Sequence, residues 1–408
     1  MKNDTINFLE IQGYKVVSSV ENNKKELIIR VKKKNKKNVC PNCGKSRKIS
    51  IHAKGKWQLK KHSHFQEKLI YLEVRRNRLI CLKCRKVFSE ELPKIDKYAR
   101  KTINFVKQSL SYLSKNSFNE VASVNKTNYS SLKNQLYSYV NPYELAKEKI
   151  KYLDELNKIY LGFDGQSFRG QNMVLTITEV RERKVITILP SEFKRDLTRF
   201  LKQIPLSTRL KVAGISVDMT NKNKYVLEDY FPNAKIVIDH YHVVQYAIQC
   251  LQNMRRTIQS ARDVEIPIKR IMDKNYFNLT EIEKKKMFRY FNNFPKLEKA
   301  YWLKERISCL YSIKNSRKAE HKFKIIKYEL LNSGIDYLVE LGGTLSRWEE
   351  KILNYFTCRI TNAYTEGIHT KCKLIKRKSY GFKNVDTYVR KLILGLIPLI
   401  SIFSIHTF

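Results

Sequence analysis

The stretch KIYLGFDGQSFRGQNMVLTITEVRERKVITILP, Lys158 to Pro190, decides how the rest of the chain is read. Its apolar residues, many of them β-branched, recur with a period of two, the pattern of strands rather than helices. KIYLGFDG reads as a strand ending at Asp164, and NMVLTITEV and RKVITILP read as two more joined by a tight RERK turn. Downstream the period changes. SEFKRDLTRFLKQI is an amphipathic helix, LKVAGISVDM a fourth strand ending at Asp218, NKYVLEDYF a helix, AKIVIDH a fifth strand ending at Asp239, and YHVVQYAIQCLQNMRR the start of a long helix.

The resulting order, β-β-β-α-β-α-β-α, predicts three antiparallel strands followed by two parallel ones with helical crossovers, the order of a ribonuclease-H-like fold. The first and fourth strands are then parallel neighbours, so Asp164 and Asp218 meet on one edge of the sheet. An aspartate at a strand end is by itself a common turn residue. Two carboxylates that close repel unless a cation lies between them. Mg²⁺ prefers such oxygen ligands and keeps waters free for phosphates, and a pair of such ions, for which Mn²⁺ can substitute, suits phosphodiester transfer.

A third acid is expected from a helix packed against the same edge. After a mainly helical insertion, TLSRWEEKILNYFTCRITNAYTEGIHTKCKLIKRK resumes helix and puts Glu366 and Lys373 on one face two turns apart, with Lys376 and Arg377 following as phosphate contacts. The plainer reading of this segment is a solvated basic face with one intrahelical ion pair. Asp239, three residues before His242, is the alternative third acid, or with His242 a support for the site. Glu349 and Glu350 are rivals without the downstream basic run.

The chain has 408 residues, enough for two or three domains, and carries 80 Lys and Arg against 38 Asp and Glu, a formal net charge of +42. Such a chain repels itself until a polyanion neutralises it, which points to nucleic acid. The excess is steepest at the start, with 34 basic and 12 acidic residues in the first 150. MKNDTINFLEIQGYKVV is not a secretory leader, and LILGLIPLISIF (392–403) is too short for a membrane span and reads as buried core. A cytoplasmic protein with no membrane partner is expected.

CPNC and CLKC supply two Cys-x-x-Cys pairs, Cys40 with Cys43 and Cys81 with Cys84. Two such pairs complete a tetrahedral four-sulfur zinc site, structural rather than catalytic. The strand-like alternation of KLIYLEVRRNRLI between them predicts a β-rich zinc ribbon. Beyond Pro93, short helices with a turn near Val124 to Thr127 have the spacing of a helix-turn-helix, whose second helix would bring Lys126, Thr127, Asn128, Tyr129 and Lys133 to DNA.

These residues together resemble the ISL-three-type insertion-sequence transposases, DDE enzymes of mobile DNA, over almost the whole length. The resemblance rests on CPNC and CLKC, on SVDMTNKNKY with Asp218, on FPNAKIVIDHYHVVQ, and on TNAYTEGIHTKCKLIKRKSYGFKNVDTY with Glu366. It implies a catalytic, Mg²⁺-binding triad of Asp164, Asp218 and Glu366, a zinc module on the four cysteines, and a D-x-x-H feature on Asp239 and His242. It further implies binding to double-stranded terminal inverted repeats and to target DNA, strand cleavage and strand transfer, and a homodimer that brings two ends together. Two positions depart from the family's habit: Gly165 follows the first acid where a second acid is usual, and His369 stands where an asparagine is usual.

The expected chain is thus a multidomain α+β and α/β protein. A β-rich zinc domain spans 1–92 and a helix-turn-helix 93–150. The first part of a ribonuclease-H-like core spans 151–248, a helical insertion 249–345, and the last part of the core 346–408. A catalytically inactive DNA-binding regulator and a junction-specific nuclease are the alternatives built from similar parts.

Overall fold

In the computed structural model, residues 11, 13–24, 26–35, 38–46, 48–65, 68–219 and 223–405 are described. The chain divides into two compact units, one of residues 1–140, 375–382 and 397–408, the other of residues 141–374 and 383–396.

In the first unit, β1 (Tyr14–Glu21), β2 (Leu27–Lys33), β4 (Trp57–Phe65) and β5 (Lys68–Arg75) form a sheet in the order β1-β2-β5-β4, with β2 and β5 parallel. Ile29 and Val31, and Ile70, Leu72 and Val74, alternate onto one face and bury it against Tyr14, Leu92 and Ile95. A second, antiparallel sheet joins β3 (Ile49–Ala53), β6 (Arg78–Cys81) and β7 (Val87–Ser89). The segment between the two cysteine pairs is therefore more than a ribbon, because β4 and β5 leave it to complete the other sheet.

Helices α1 (Ile103–Lys115), α2 (Phe118–Val124) and α3 (Tyr129–Tyr139) follow. α2 starts in a capping box: the Glu120 N–H donates to the Ser117 hydroxyl, and the Ser117 N–H to the Glu120 carboxylate. The turn before α3 is pinned by the buried Asn125, whose Nδ2 donates to Ser109 and whose Oδ1 lies 2.8 Å from His64 Nε2. Lys61 Nζ donates to the carbonyls of Asn125 and Lys126, and Lys126 turns through a positive φ of 45°.

In the second unit, α4 (Pro142–Glu155) packs on the edge of a five-stranded sheet of order β10-β9-β8-β11-β12. Its strands are β8 (Ile159–Arg169), β9 (Asn172–Glu179), β10 (Lys184–Leu189), β11 (Val212–Val217) and β12 (Lys235–Ile238). β8, β9 and β10 pair antiparallel, whereas β11 pairs parallel with both β8 and β12. Helices α5 (Lys194–Leu201) and α6 (Leu206–Leu210) connect β10 to β11, and α7 (Lys224–Tyr230) connects β11 to β12. Continuous apolar runs such as VITIL are buried on both faces, as in a sheet sandwiched between helices.

One difference from the sequence reading concerns β8. It does not end at Asp164 but continues, paired with β9, to Arg169, because only its parallel partner β11 stops.

From β12 the chain enters α8 (His240–Arg262), one continuous helix with no break at residue 248; it ends where Asp263 turns left-handed. α9 (Lys269–Asp273), α10 (Glu281–Asn293), α11 (Pro295–Leu310), α12 (Ser316–Leu331) and α13 (Asp336–Arg347) share one apolar core with α8 and the sheet. Next, α14 (Glu349–Leu353) and α15 (Tyr355–Cys358) lie against β12, and α16 (Ala363–Lys378) and α17 (Val385–Leu396) follow. After Pro398 comes α18 (Leu399–Ser404), and Ile400 there is 81% exposed, so the apolar stretch 392–403 is core only in part. Among the described residues, no helix is long and apolar enough to cross a membrane.

Candidate active site

The parallel ladder fixes the acids. The last β8–β11 rung joins Gly162 to Ser216, so Asp164 and Asp218 each stand two residues past it. The last β11–β12 rung joins Val217 to Ile238, which puts Asp218 and Asp239 each one residue past that rung. Three aspartates on three adjacent strands thus stand at one level, Asp218 and Asp239 just past the ends of β11 and β12 and Asp164 within β8.

They do not play the same part. Asp239 is 1% exposed and caps α8, accepting the Tyr241 N–H at 2.8 Å with one oxygen and the Asn362 N–H with the other. Its carboxylate is thus committed to two backbone donors. Asp164 is buried, and its carboxyl is pushed up to about 7 by burial first and by the Asp218 charge second, with Glu366 and Asp239 adding to the rise. His242 Nε2 lies 2.8 Å from Asp218 Oδ1, and the Asp218 carboxylate raises the imidazole's proton affinity. Ligand atoms of Asp164, Asp218 and His242 all lie within 4.8 Å of one another. This donor set fits a divalent cation: one oxygen from each of two carboxyls, Asp164 and Asp218, and one imidazole nitrogen, His242.

Glu366 enters from α16. Thr365, Ile368, His369 and Cys372 recur at helical spacing and form the buried face of that helix. The Thr365 hydroxyl lies 2.7 Å from that of Thr178, and His369 Nε2 lies 3.0 Å from the Thr176 hydroxyl, so α16 is gripped by β9. Glu366 is half-buried and its carboxyl is raised by burial, then by the Asp239 charge. It stands outside the tight cluster of Asp164, Asp218 and His242, yet near enough for its charge to act on Asp164. Lys373 is exposed two turns on, and Arg377 is exposed beyond it. Lys376 lies half-buried in the last turn.

His369 escaped the sequence reading as more than a departure. Its Nδ1 is 3.4 Å from Asp164 Oδ2, and burial, then the Lys373 charge, lowers its proton affinity to about 4, so it meets the acid as a neutral ring. Gly165 leaves the room that the Glu192 carboxylate fills: a Cβ there would sit 1.7 Å from Glu192 Oε1. Thr220, Asn221 and Lys222 of the motif around Asp218 lie outside the described residues.

In the first unit the four cysteines converge. Cys40 and Cys84 sulfurs are 3.5 Å apart and those of Cys43 and Cys81 3.7 Å apart. A zinc ion with Zn–S bonds of about 2.3 Å requires sulfur separations of roughly 3.8 Å, so the cluster fits it. Both pairs sit in matching turns. The Cys40 N–H donates to the Lys45 carbonyl and the Gly44 N–H to the Cys40 carbonyl, and Cys81, Lys86 and Arg85 repeat the pattern. Gly44 and Arg85 both take positive φ there, 63° and 60°. The Lys86 N–H, then the Asn42 side chain, lower the Cys84 thiol to about 6, favouring the thiolate a metal needs. His62 Nδ1 lies 3.0 Å from the Thr102 hydroxyl and His64 Nε2 2.8 Å from Asn125 Oδ1.

Of the residues expected to meet DNA, Asn128 caps α3 by accepting the Ser131 N–H, and Tyr129 packs on Phe118 with ring centroids 4.8 Å apart. Lys126 pairs with Glu26 at 2.9 Å, Thr127 is half-buried in the turn, and Lys133 lies over the Tyr137 ring. Ser130 and Asn134, which the sequence reading passed over, are exposed one turn apart on α3. Their signal was the helical period counted from the cap.

The sequence pattern of the ISL3-type DDE family, described as transposase, matches residues 161–392. The chain belongs to the ISL3-type transposase family. It is 22% identical over 395 residues to the transposase for insertion sequence element IS1001 of Bordetella parapertussis, covering 93% of this chain and 95% of that one. It is 21% identical over 265 residues to the transposase for IS1557 of Mycobacterium tuberculosis, covering 58% of this chain and 60% of that one. For an ISL3-type transposase, acids at adjacent strand ends and a cluster of four cysteines are the features to explain.

Proposed function

We propose that this transposase acts on the ends of its own insertion sequence, cutting DNA strands and joining them to a target by divalent-metal chemistry on a ribonuclease-H-like core. The observation that carries this reading is the level placement of Asp164 and Asp218 past the same parallel rung, with the Asp164 carboxyl held near neutrality by burial and by its neighbour. Asp164, Asp218 and Glu366 would hold the metal, with His242 as a further donor beside Asp218. Two Mg²⁺ ions held by these residues would supply activation of the attacking oxygen and stabilisation of the leaving one, and Mn²⁺ would substitute for them. Asp239 sets the start of α16, and through it the position of Glu366. Lys373, Lys376 and Arg377 neutralise the phosphates next to the cut.

Zinc held by Cys40, Cys43, Cys81 and Cys84 stabilises the residues 1–92 as a DNA-binding domain, and α2 and α3 act as a helix-turn-helix on the terminal inverted repeats. The protein works as a homodimer, since two ends have to be cut in one complex. The test uses oligonucleotide duplexes ending in the element's repeats. Wild type with Mg²⁺ nicks them at the repeat boundary and joins the product to a second duplex, whereas Asp164→Asn, Asp218→Asn and Glu366→Gln bind the duplex and leave it whole. Binding without any cutting by the wild type would instead make this chain a regulator.

A further inference from the structure

Beside the acids, a groove of about 470 Å³ opens between α8 and α9. It begins at Asp218 and His242 and runs along α8 past Gln245, Gln249 and Asn253 to Arg256. Those three amides recur every fourth residue and so project from one stripe of the helix. Among the described residues, the side chains of Gln245 and Gln249 make no hydrogen bond, and that of Asn253 makes only one, accepting from Arg256 at 3.4 Å. Gln252 closes the floor, its Nε2 donating to the Lys269 carbonyl at 3.1 Å and to Asp273 Oδ1 at 2.7 Å. Met219 and Ile248 add an apolar wall.

We infer that this groove takes one unpaired nucleotide of the DNA strand next to the phosphate being cut. The inference rests on the proposed function, which puts that phosphate at Asp218. A volume of this size suits a single small ligand rather than a duplex. Amide side chains carry a donor and an acceptor side by side, the complement of a base edge, whereas a groove built for phosphates alone would be lined with cations. The cations here stand only at the far end, where Arg256 and Lys269 are exposed and meet the next phosphate. Turning a base out costs a few kcal/mol of stacking and pairing. The exchange is favourable only where a shaped site receives the base, and it frees the backbone to bend toward the metal.

Terminal-repeat duplexes carrying 2-aminopurine at one position flanking the cut test this with the full-length protein and no added Mg²⁺. On binding wild type, one position is expected to brighten about threefold as its base leaves the stack. The double variant Gln249→Ala with Asn253→Ala, and separately Gln249→Trp, which fills the groove, should lose that rise while retaining the bound fraction and melting temperature. A bound wild type that brightens no position, or a rise that persists in both variants, overturns the proposal. Failure of the proposed function is read separately, as absence of Mg²⁺-dependent cutting of the unmodified duplex by wild type.

Discussion

Asp239 and Asn362 are 123 residues apart, and the Asn362 N–H donates to the Asp239 carboxylate. The Asn362 carbonyl in turn accepts the Glu366 N–H at 2.8 Å, the opening hydrogen bond of α16. One carboxylate at the end of β12 thus sets where the helix carrying Glu366 begins. Asp239→Ala leaves a buried N–H unpaired and removes a helix cap, costs of about 1–3 and about 1 kcal/mol. Thermal melting should show the loss, and cutting should fall with it.

Glu366→Gln separates the two acids. Glu366 makes no ion pair among the described residues, and the amide has nearly the same shape, so melting should move little. If Glu366 is the third metal ligand, as proposed, cutting should fall by several orders of magnitude, because the charge that would complete the site is gone. If Asp239→Asn abolished cutting at unchanged stability while Glu366→Gln cut normally, Asp239 would be the third acid.

Chelation should act on the first unit. A four-thiolate site contributes folding energy directly, and the four sulfurs all lie within 4.8 Å of one another. Metal analysis should find one zinc per chain, and Cys40→Ser or Cys84→Ser should lose it together with repeat-specific binding. Mg²⁺-dependent nicking of nonspecific DNA should survive in part. Purified wild type without zinc would contradict the assignment.

Recognition by α3 predicts a different pattern. Asn134 is exposed and, among the described residues, its side chain makes no hydrogen bond, so Asn134→Ala should leave melting unchanged. If it reads a base, the variant loses about 1–3 kcal/mol of repeat binding and none of its nonspecific binding. Equal losses on both kinds of DNA would point to a phosphate contact instead.

The strand order of the second unit was legible because buried parallel strands advertise themselves as apolar runs, and each acid stood where a run stopped. Asp164 shows the limit of that signal. The residues after it, GQSF, are less apolar, yet β9 keeps them in the sheet, and no local pattern reports a partner strand. The same holds for Asp239, whose two backbone donors lie on different elements, and for His369, whose partners Thr176 and Asp164 are about two hundred residues away in the chain. The cysteine turns were readable from spacing alone, but the departure of β4 and β5 to a second sheet was not, since alternation is the same in either sheet.

The last prediction concerns pH. Without metal, the Asp164 carboxyl titrates at about 7, raised from an ordinary value near 3.8. A carboxyl raised by folding favours the folded state while it is protonated. That contribution is complete below about 4 and is lost as pH climbs through about 7. Above 7 the ionised carboxylate is buried beside Asp218 with no cation between them, and this is the state in which Mg²⁺ binds best. Stabilisation by Mg²⁺, measured as the rise in melting temperature at fixed metal, should therefore grow between pH 6 and pH 8. Nicking at subsaturating Mg²⁺ should rise over the same interval. Asp164→Asn has no proton to lose, so the part of the pH dependence that belongs to this group should vanish in it, leaving a flatter curve. A Mg²⁺-induced shift that is equal at pH 6 and pH 8 in the wild type would mean that Asp164 is not among the metal's ligands.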